Sequence, residues 1–413
     1  VDDKQARQIF KEIEKNKKHI VSFAKELICI PTVNPPGENY EKIVSVLKRK
    51  LLSLGFQAKE IRVPKKQLRR LKINYGSERI NLLANWDTNA KKALHLNGHY
   101  DVVPVTSNWT MQPFNALVKQ NKLYGRGAED MKSTIAAMIF AAQTLKKLNI
   151  KPKVNIEFSF TPDEETGGYP GVGFLVKNNF IRPDYFIGEG YPEEYVTFGN
   201  KGMLWLEVEV KGKSAHASMP YLGKNSFEKM LVVANQLEKL KKKVESKKTR
   251  FETKDKRDMS ASMVMGGILE GGSKVNIIPD RSIFSIDRRL LPEETVAKAK
   301  KEITDEIAKL KRKDPSLRVD VKVTAHEEPT VTVNSEKFRK AFTKAIKAVF
   351  KKQAKFVLMT GGTDSRFAMR KGIPSFGYSA NGDETCHGDD EFVYVNSIID
   401  TCKVYALVMA NLE

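Results

Sequence analysis

The chain has 413 residues, 41% of them hydrophobic and 29% charged, with a formal net charge of +21. That length sets an expectation of two domains. The absence of any run of about 18 apolar residues argues against a membrane-spanning helix, and three widely spaced cysteines, Cys29, Cys386 and Cys402, argue against a disulfide framework. A reducing cytoplasm is the simple reading, since the charged, helix-periodic opening segment carries no apolar signal core. The lysine excess raises a polyanion-binding reading. Its densest run, Leu237 to Arg257, holds one aromatic and no stacking pattern. A solvated basic surface without a specific nucleic-acid partner is therefore expected.

In chain order, "NYEKIVSVLKRKLLSLG" reads as a helix, and "INLLANWD" and "KALHLNGHYDVVP" read as strands. A second helix, "MKSTIAAMIFAAQTLKKLNI", precedes strands "VNIEFSFTPDEE" and "DYFIGEG". This alternation predicts an α/β domain whose mixed sheet is covered by helices. Near Lys201 the style changes to strand "MLWLEVEVKG", helix "SFEKMLVVANQLEKLKKK", strands "SASMVMGG" and "SIFSIDRRLL", helix "ETVAKAKKEITDEIAKLKR" and strand "LRVDVKVTAH". That is βαββαβ, the ferredoxin-like arrangement. A helix, strands "KFVLMTGG" and "PSFGYS" and a final helix then return to the first style. The expected organisation is a catalytic domain in two parts, 1–200 and 330–413, interrupted by an inserted domain over 201–329.

The candidate ligands sit at predicted strand ends. Among six histidines, His19 and His326 read as structural or solvated. His99 ends a strand and Asp101 follows two residues on, a pattern that suits a ligand histidine with a fixed ring. Asp130, in "GRGAEDMKS", precedes a helix whose amides favour a carboxylate, so an ordinary N-cap aspartate is the rival reading. Glu189 lies between glycines in "IGEG", and His387 lies in the loop "ETCHGDDEF". Asp163, Glu164 and Glu165 run together after a strand and repel one another unless something positive sits among them. Nitrogen and oxygen donors without a thiolate suit zinc, cobalt or manganese at a hydrolytic site.

Taken together, "NGHYDVVP", "YGRGAEDMKS", "PDEETGG", "GEG", "NKGMLWLEVEVKGKSAHASMP", "GGSKVNIIPDRSIFSIDRRLLPEE", "GGTDSRF" and "CHGDDEF" resemble a known family. It is the family of co-catalytic zinc amidohydrolases and peptidases that includes acetylornithine deacetylase, succinyl-diaminopimelate desuccinylase, aminoacylase and glutamate carboxypeptidase. The resemblance implies two zinc ions per subunit, with cobalt or manganese as alternatives. It implies His99, Asp130 and Glu189 as ligands of one ion, and Asp130, Glu165 and His387 as ligands of the other. It further implies Asp101 as the group orienting His99, Glu164 as general base, and His216 as an oxyanion-holding residue contributed across a homodimer. Asn276, Arg289, Gly361, Gly362 and Thr363 are implied to bind the substrate carboxylate, and the insert to serve as lid and dimerisation domain. Asp163 is expected to face elsewhere and be structural. The peptide bond after Asp130 is expected to be cis. Ser133 departs from the family's usual glycine. Arg288 stands where an apolar residue is common, so the carboxylate role goes to Arg289 by spacing.

The implied activity is hydrolysis of the amide bond of an N-acyl amino acid or a small peptide with a free carboxylate. A deacetylase or desuccinylase is favoured over an aminoacylase, carboxypeptidase or dipeptidase, and the acyl group stays open. A rival of another class is a non-catalytic polyanion-binding protein on the same fold. Glu164 beside Glu165 argues for catalysis, because a binding module has no use for the base.

Overall fold

The computed structural model describes residues 1–73 and 76–413. These form two compact units, one of Val1–Phe198, Thr332–Phe356 and Thr363–Glu413, the other of Gly199–Val331 and Val357–Gly362.

The larger unit is built on a mixed sheet. From one edge its strands run Gln57–Arg62, Ile80–Trp86, Asn155–Thr161, Ala93–His99, Tyr185–Gly188 and Ser375–Gly377. The first three neighbours pair antiparallel and the last three junctions are parallel. Strands Asn155–Thr161 and Ala93–His99 are buried along most of their length, as expected of parallel strands covered on both faces. Helix Ser133–Lys147 shows why a strict amphipathic period is missing from its sequence. It is buried on nearly every side, from Ile135 to Leu145, and packs against the equally apolar helix Val395–Asn411. Gln57–Arg62 is an edge strand with mostly exposed side chains, so apolar alternation does not betray it. Leu117–Lys119, Lys122–Tyr124 and Phe392–Tyr394 form a small separate sheet of three-residue strands, too short to carry a period.

The smaller unit carries the βαββαβ order as a four-stranded antiparallel sheet, Ser262–Gly271, Arg281–Leu290, Gly202–Lys211 and Arg318–Glu327. Alternate residues Leu204, Leu206, Val208 and Val210 meet Met230, Val233 and Leu237 of helix Ser226–Glu245 and Ile303 and Ile307 of helix Val296–Lys313. Asn225 starts the first of these helices by accepting the backbone N–H groups of Phe227 and Glu228. No helix among the described residues is long and apolar enough to cross a membrane.

Candidate metal centre

Three parallel strands end at one edge of the larger unit's sheet, with His99 beside Thr161 and Leu96 beside Ile187 in register. The segments that leave them therefore bring His99 and Asp101, Glu164 and Glu165, and Glu189 to the same rim, where open α/β sheets gather ligands. The His99 ring is buried, and its Nδ1 donates to the Asp101 carbonyl at 3.1 Å. That leaves Nε2 facing Asp130 Oδ1 at 2.8 Å and Glu189 Oε2 at 3.7 Å. On the other side of Asp130, Oδ2 lies 3.4 Å from His387 Nε2, which also meets Glu165 Oε2 at 3.0 Å. Two clusters result, His99–Asp130–Glu189 and Asp130–Glu165–His387, each with donor atoms within 4.8 Å of one another.

Asp130 does not cap the following helix. It sits in a π-helical turn, Ala128–Lys132, with non-helical φ and ψ, and its peptide bond to Met131 is cis. The N-cap position falls to Lys132, which makes no capping bond. Asp101 has a second duty besides facing His99 Nδ1, 3.6 Å away. Its buried carboxylate accepts the backbone N–H groups of Glu164 at 3.1 Å and Glu165 at 3.3 Å, and so anchors the short turn Glu164–Thr166. Asp163 turns away from this rim in a left-handed conformation with φ of 63°. It accepts Arg79 Nε at 2.8 Å, Tyr40 Oη–H at 2.8 Å and Asn34 Nδ2 at 3.2 Å, all buried. The adjacent acids are thus divided: Asp163 inward, Glu165 to His387, and Glu164 outside both donor clusters.

Electrostatics follow from crowding acids in low dielectric. Burial, then Glu189 and Asp364, push the Glu164 carboxyl well above its usual range. Burial, then Asp130, push Glu165 up to about 7, and the same two causes hold Glu189 high. Burial alone would lower His99 and raise Asp130, but their mutual attraction reverses both directions. Hydrogen bonds to Asp130 and Glu165 push His387 up to about 10. The donor set fits divalent cations: it is all nitrogen and carboxylate oxygen, and Glu189 Oε2 is buried with no hydrogen-bond partner.

The remaining expected residues lie apart from this rim in chain position. In the smaller unit, His216 bridges to Ile277, and the Asn276 carbonyl accepts the Ala217 N–H, so His216 and Asn276 are neighbours. His216 Nδ1 accepts the Ser218 N–H at 3.1 Å, which fixes the neutral ring's proton on Nε2. Arg288 is buried against Glu294 and Glu302, whereas Arg289 is partly exposed and pairs with Asp287 at 3.0 Å. Gly361 and Gly362 have open space where a Cβ would stand, and the Gly361 carbonyl accepts Asn200 Nδ2 at 2.7 Å. Thr363 belongs to the larger unit and is buried, with an unsatisfied Oγ1. Two further acids, Glu129 and Glu391, escaped the sequence reading, whereas Asp364 closes the stretch "TGGTD" that the resemblance assigns to the substrate pocket. Asp364 is buried, and burial first, with Arg366 opposing, pushes it up to about 6.

Residues 95–411 match peptidase family M20/M25/M40. The chain belongs to that family. Among relatives of the M20 peptidases, it is 28% identical to an uncharacterized metallohydrolase of Methanocaldococcus jannaschii, covering 93% of this chain and 97% of that protein. It is 27% identical to the succinyl-diaminopimelate desuccinylase of Pelagibacter ubique, covering 95% and 98%. The fold resembles that of an M20 family metallo-carboxypeptidase from Sulfolobus solfataricus, with a TM-score of 0.76, 21% identity and coverage of 95% and 98%. As an M20 peptidase the chain is a metal-dependent hydrolase of amide or peptide bonds.

A pH dependence follows. With no metal bound, His387 holds its proton at pH 7, because its pKa is pushed up to about 10. A metal ligand must lose that proton. Metal affinity of the His387 cluster should therefore rise with pH up to about 10, the value to which His387 is shifted. Conversely, the pairing of charged His387 with Asp130, whose carboxylate is held low, is complete below the ordinary histidine value and lost as pH rises through about 10. Zinc titration calorimetry at pH 7 in buffers of different ionisation enthalpy should show proton release. Identical heats in all buffers would contradict this.

Proposed function

We propose that the chain uses two divalent cations, zinc in the first instance, to hydrolyse the amide bond of an N-acyl amino acid or a small peptide that bears a free carboxylate. One observation carries the reading: the two oxygens of Asp130 point to different histidines, His99 and His387, so a single carboxylate joins both donor clusters. His99 and Glu189 complete one cation site, and Glu165 and His387 the other. Bound divalent cations supply the Lewis acidity that polarises an amide carbonyl and acidifies water.

The chain's own groups do the rest. Glu164, outside both clusters and with its pKa raised by burial and neighbouring acids, takes a proton from the attacking water and delivers it to the leaving nitrogen. Asp101 holds the Glu164–Glu165 turn and the His99 ring in register through the bonds described above. His216, whose Nδ1 accepts the Ser218 N–H so that the neutral ring keeps its own proton on Nε2, is the donor for the developing oxyanion. Arg289 and Asn276, with Gly361, Gly362 and Thr363, receive the substrate carboxylate. Arg289 rather than Arg288 takes this part because Arg288 is committed to buried acids.

A second copy of the chain belongs to the same reading. Phe227, Leu231 and Val232 are exposed on helix Ser226–Glu245, and Val264, Ile268 and Leu269 on the edge strand Ser262–Gly271, an apolar surface suited to a homodimer. The likeness to a succinyl-diaminopimelate desuccinylase favours deacylation.

The test is a panel of N-acetyl and N-succinyl amino acids and dipeptides, each with its carboxylate free or amidated, offered to zinc-loaded protein. Hydrolysis confined to the free carboxylates is expected. No turnover on any member, or equal turnover of the amidated forms, would overturn the substrate class.

A further inference from the structure

Two acids that belong to neither donor cluster stand next to the residues that do. Glu129 precedes Asp130, and Glu391 follows His387 by four positions. Their carboxylates are crossed. Glu391, buried, accepts the backbone N–H groups of Gly127 at 3.0 Å, Glu129 at 2.9 Å and Asp130 at 3.2 Å. It also pairs with Arg126 at 2.7 Å, and Arg126 reaches the His387 carbonyl at 3.3 Å. Glu129 in turn accepts the N–H groups of Gly382 at 2.9 Å, Glu384 at 3.0 Å and Cys386 at 2.8 Å, and the Thr385 hydroxyl at 3.0 Å.

Each segment is thus held by an acid from the other. The arrangement matters because neither segment holds its shape by regular structure. The Asp130 segment is a distorted π turn. The His387 segment lies between strands Ser375–Gly377 and Phe392–Tyr394, and places Asp383, Glu384, His387 and Asp390 at φ of 60°, 60°, 65° and 51°. Left-handed backbone at non-glycine residues is unfavourable and persists only where neighbours enforce it. Aligned N–H groups aimed at a carboxylate are the strong kind of hydrogen bond that can do so.

We propose that Glu129 and Glu391 form a reciprocal carboxylate clasp that sets the position of His387 relative to Asp130, and so the affinity of the second cation site. They are positioning residues. The inference rests on the two-cation reading. It also carries an asymmetry: Glu129 holds only the His387 segment, whereas Glu391 holds the segment of the shared Asp130. In Glu129→Gln an amide NH2 replaces an acceptor oxygen and meets N–H donors head on.

Two measurements test this. Hydrogen exchange on metal-free protein should show faster exchange at 382–386 in Glu129→Gln and at 127–130 in Glu391→Gln. Zinc titration should show the second equivalent weakened roughly 10–100-fold in Glu129→Gln with the first unchanged, and both weakened in Glu391→Gln. The second variant carries the test if the first does not fold. Unchanged exchange, an unchanged second equivalent, or equal weakening of both equivalents in Glu129→Gln overturns the clasp's role. A parent chain that takes up no second cation would end the two-cation reading and this role with it. That failure is distinct, because exchange on metal-free protein reports the clasp independently.

Discussion

Glu164→Gln should lower kcat by roughly 10²–10⁴, the usual worth of a positioned general base, while the protein keeps its full complement of metal. The side chain lies outside both donor clusters, and its backbone N–H, not its carboxylate, is what Asp101 holds. The amide is isosteric, so the turn Glu164–Thr166 should persist. Glu165→Gln should behave in the opposite way. Its carboxylate meets His387 at 3.0 Å, and its loss should weaken the second cation and leave activity partly recoverable with excess zinc. Metal stoichiometry and kcat measured on the same samples decide the matter. Metal loss in the Glu164 variant, or normal turnover in it, would show that the two glutamates have been given each other's parts.

Asp163→Ala should cost about 3–5 kcal/mol of folding stability, the range found when one partner of a buried ion pair is removed. Asp163 and Arg79 are both almost wholly buried and meet at 2.8 Å. Truncation leaves the guanidinium in the interior without its carboxylate and takes the acceptor from the Tyr40 hydroxyl, while Asn34 keeps Asp101 and Thr166 as acceptors. It also places alanine where φ is 63°, a conformation that aspartate and asparagine tolerate better. Urea midpoints of the metal-free variant and parent are the comparison. A stability change within experimental scatter would contradict the view that this acid braces the turn beneath the metal centre.

The contrast between Asp163 and its neighbours explains what could be read in advance. Strand ends announce themselves through a change from apolar alternation to glycine and acid, so His99, Glu164, Glu165 and Glu189 could be placed on one rim before any coordinates. The βαββαβ order was legible for the same reason, since each strand of that unit keeps one apolar face, as Leu204, Leu206, Val208 and Val210 do. Long-range pairing leaves no such mark. Arg79 lies 84 residues from Asp163, and Glu391 lies 261 residues from the Asp130 amide it holds. Asp163 was expected to be structural, but nothing local names Arg79 as its partner, and nothing local distinguishes Glu391 from a solvated acid. The one available signal was a surplus: "AEDM" and "DDEF" each contain more carboxylates than the cations need. The N-cap remained a rival reading of Asp130 because acid before a helix is the common sequence sign of one, whereas here the side chain is drawn to His99 instead. The three-residue strands around Tyr124 and Phe392 lay below the length at which a period exists.

The two-cation proposal turns on whether Asp130 is shared by both ions. Anomalous scattering from a crystal of the zinc-loaded protein tests it most directly. Two peaks about 3.5–4 Å apart are expected, one beside His99 and Glu189, the other beside Glu165 and His387, with one Asp130 oxygen toward each. A single peak, or a second peak away from His387, would contradict it.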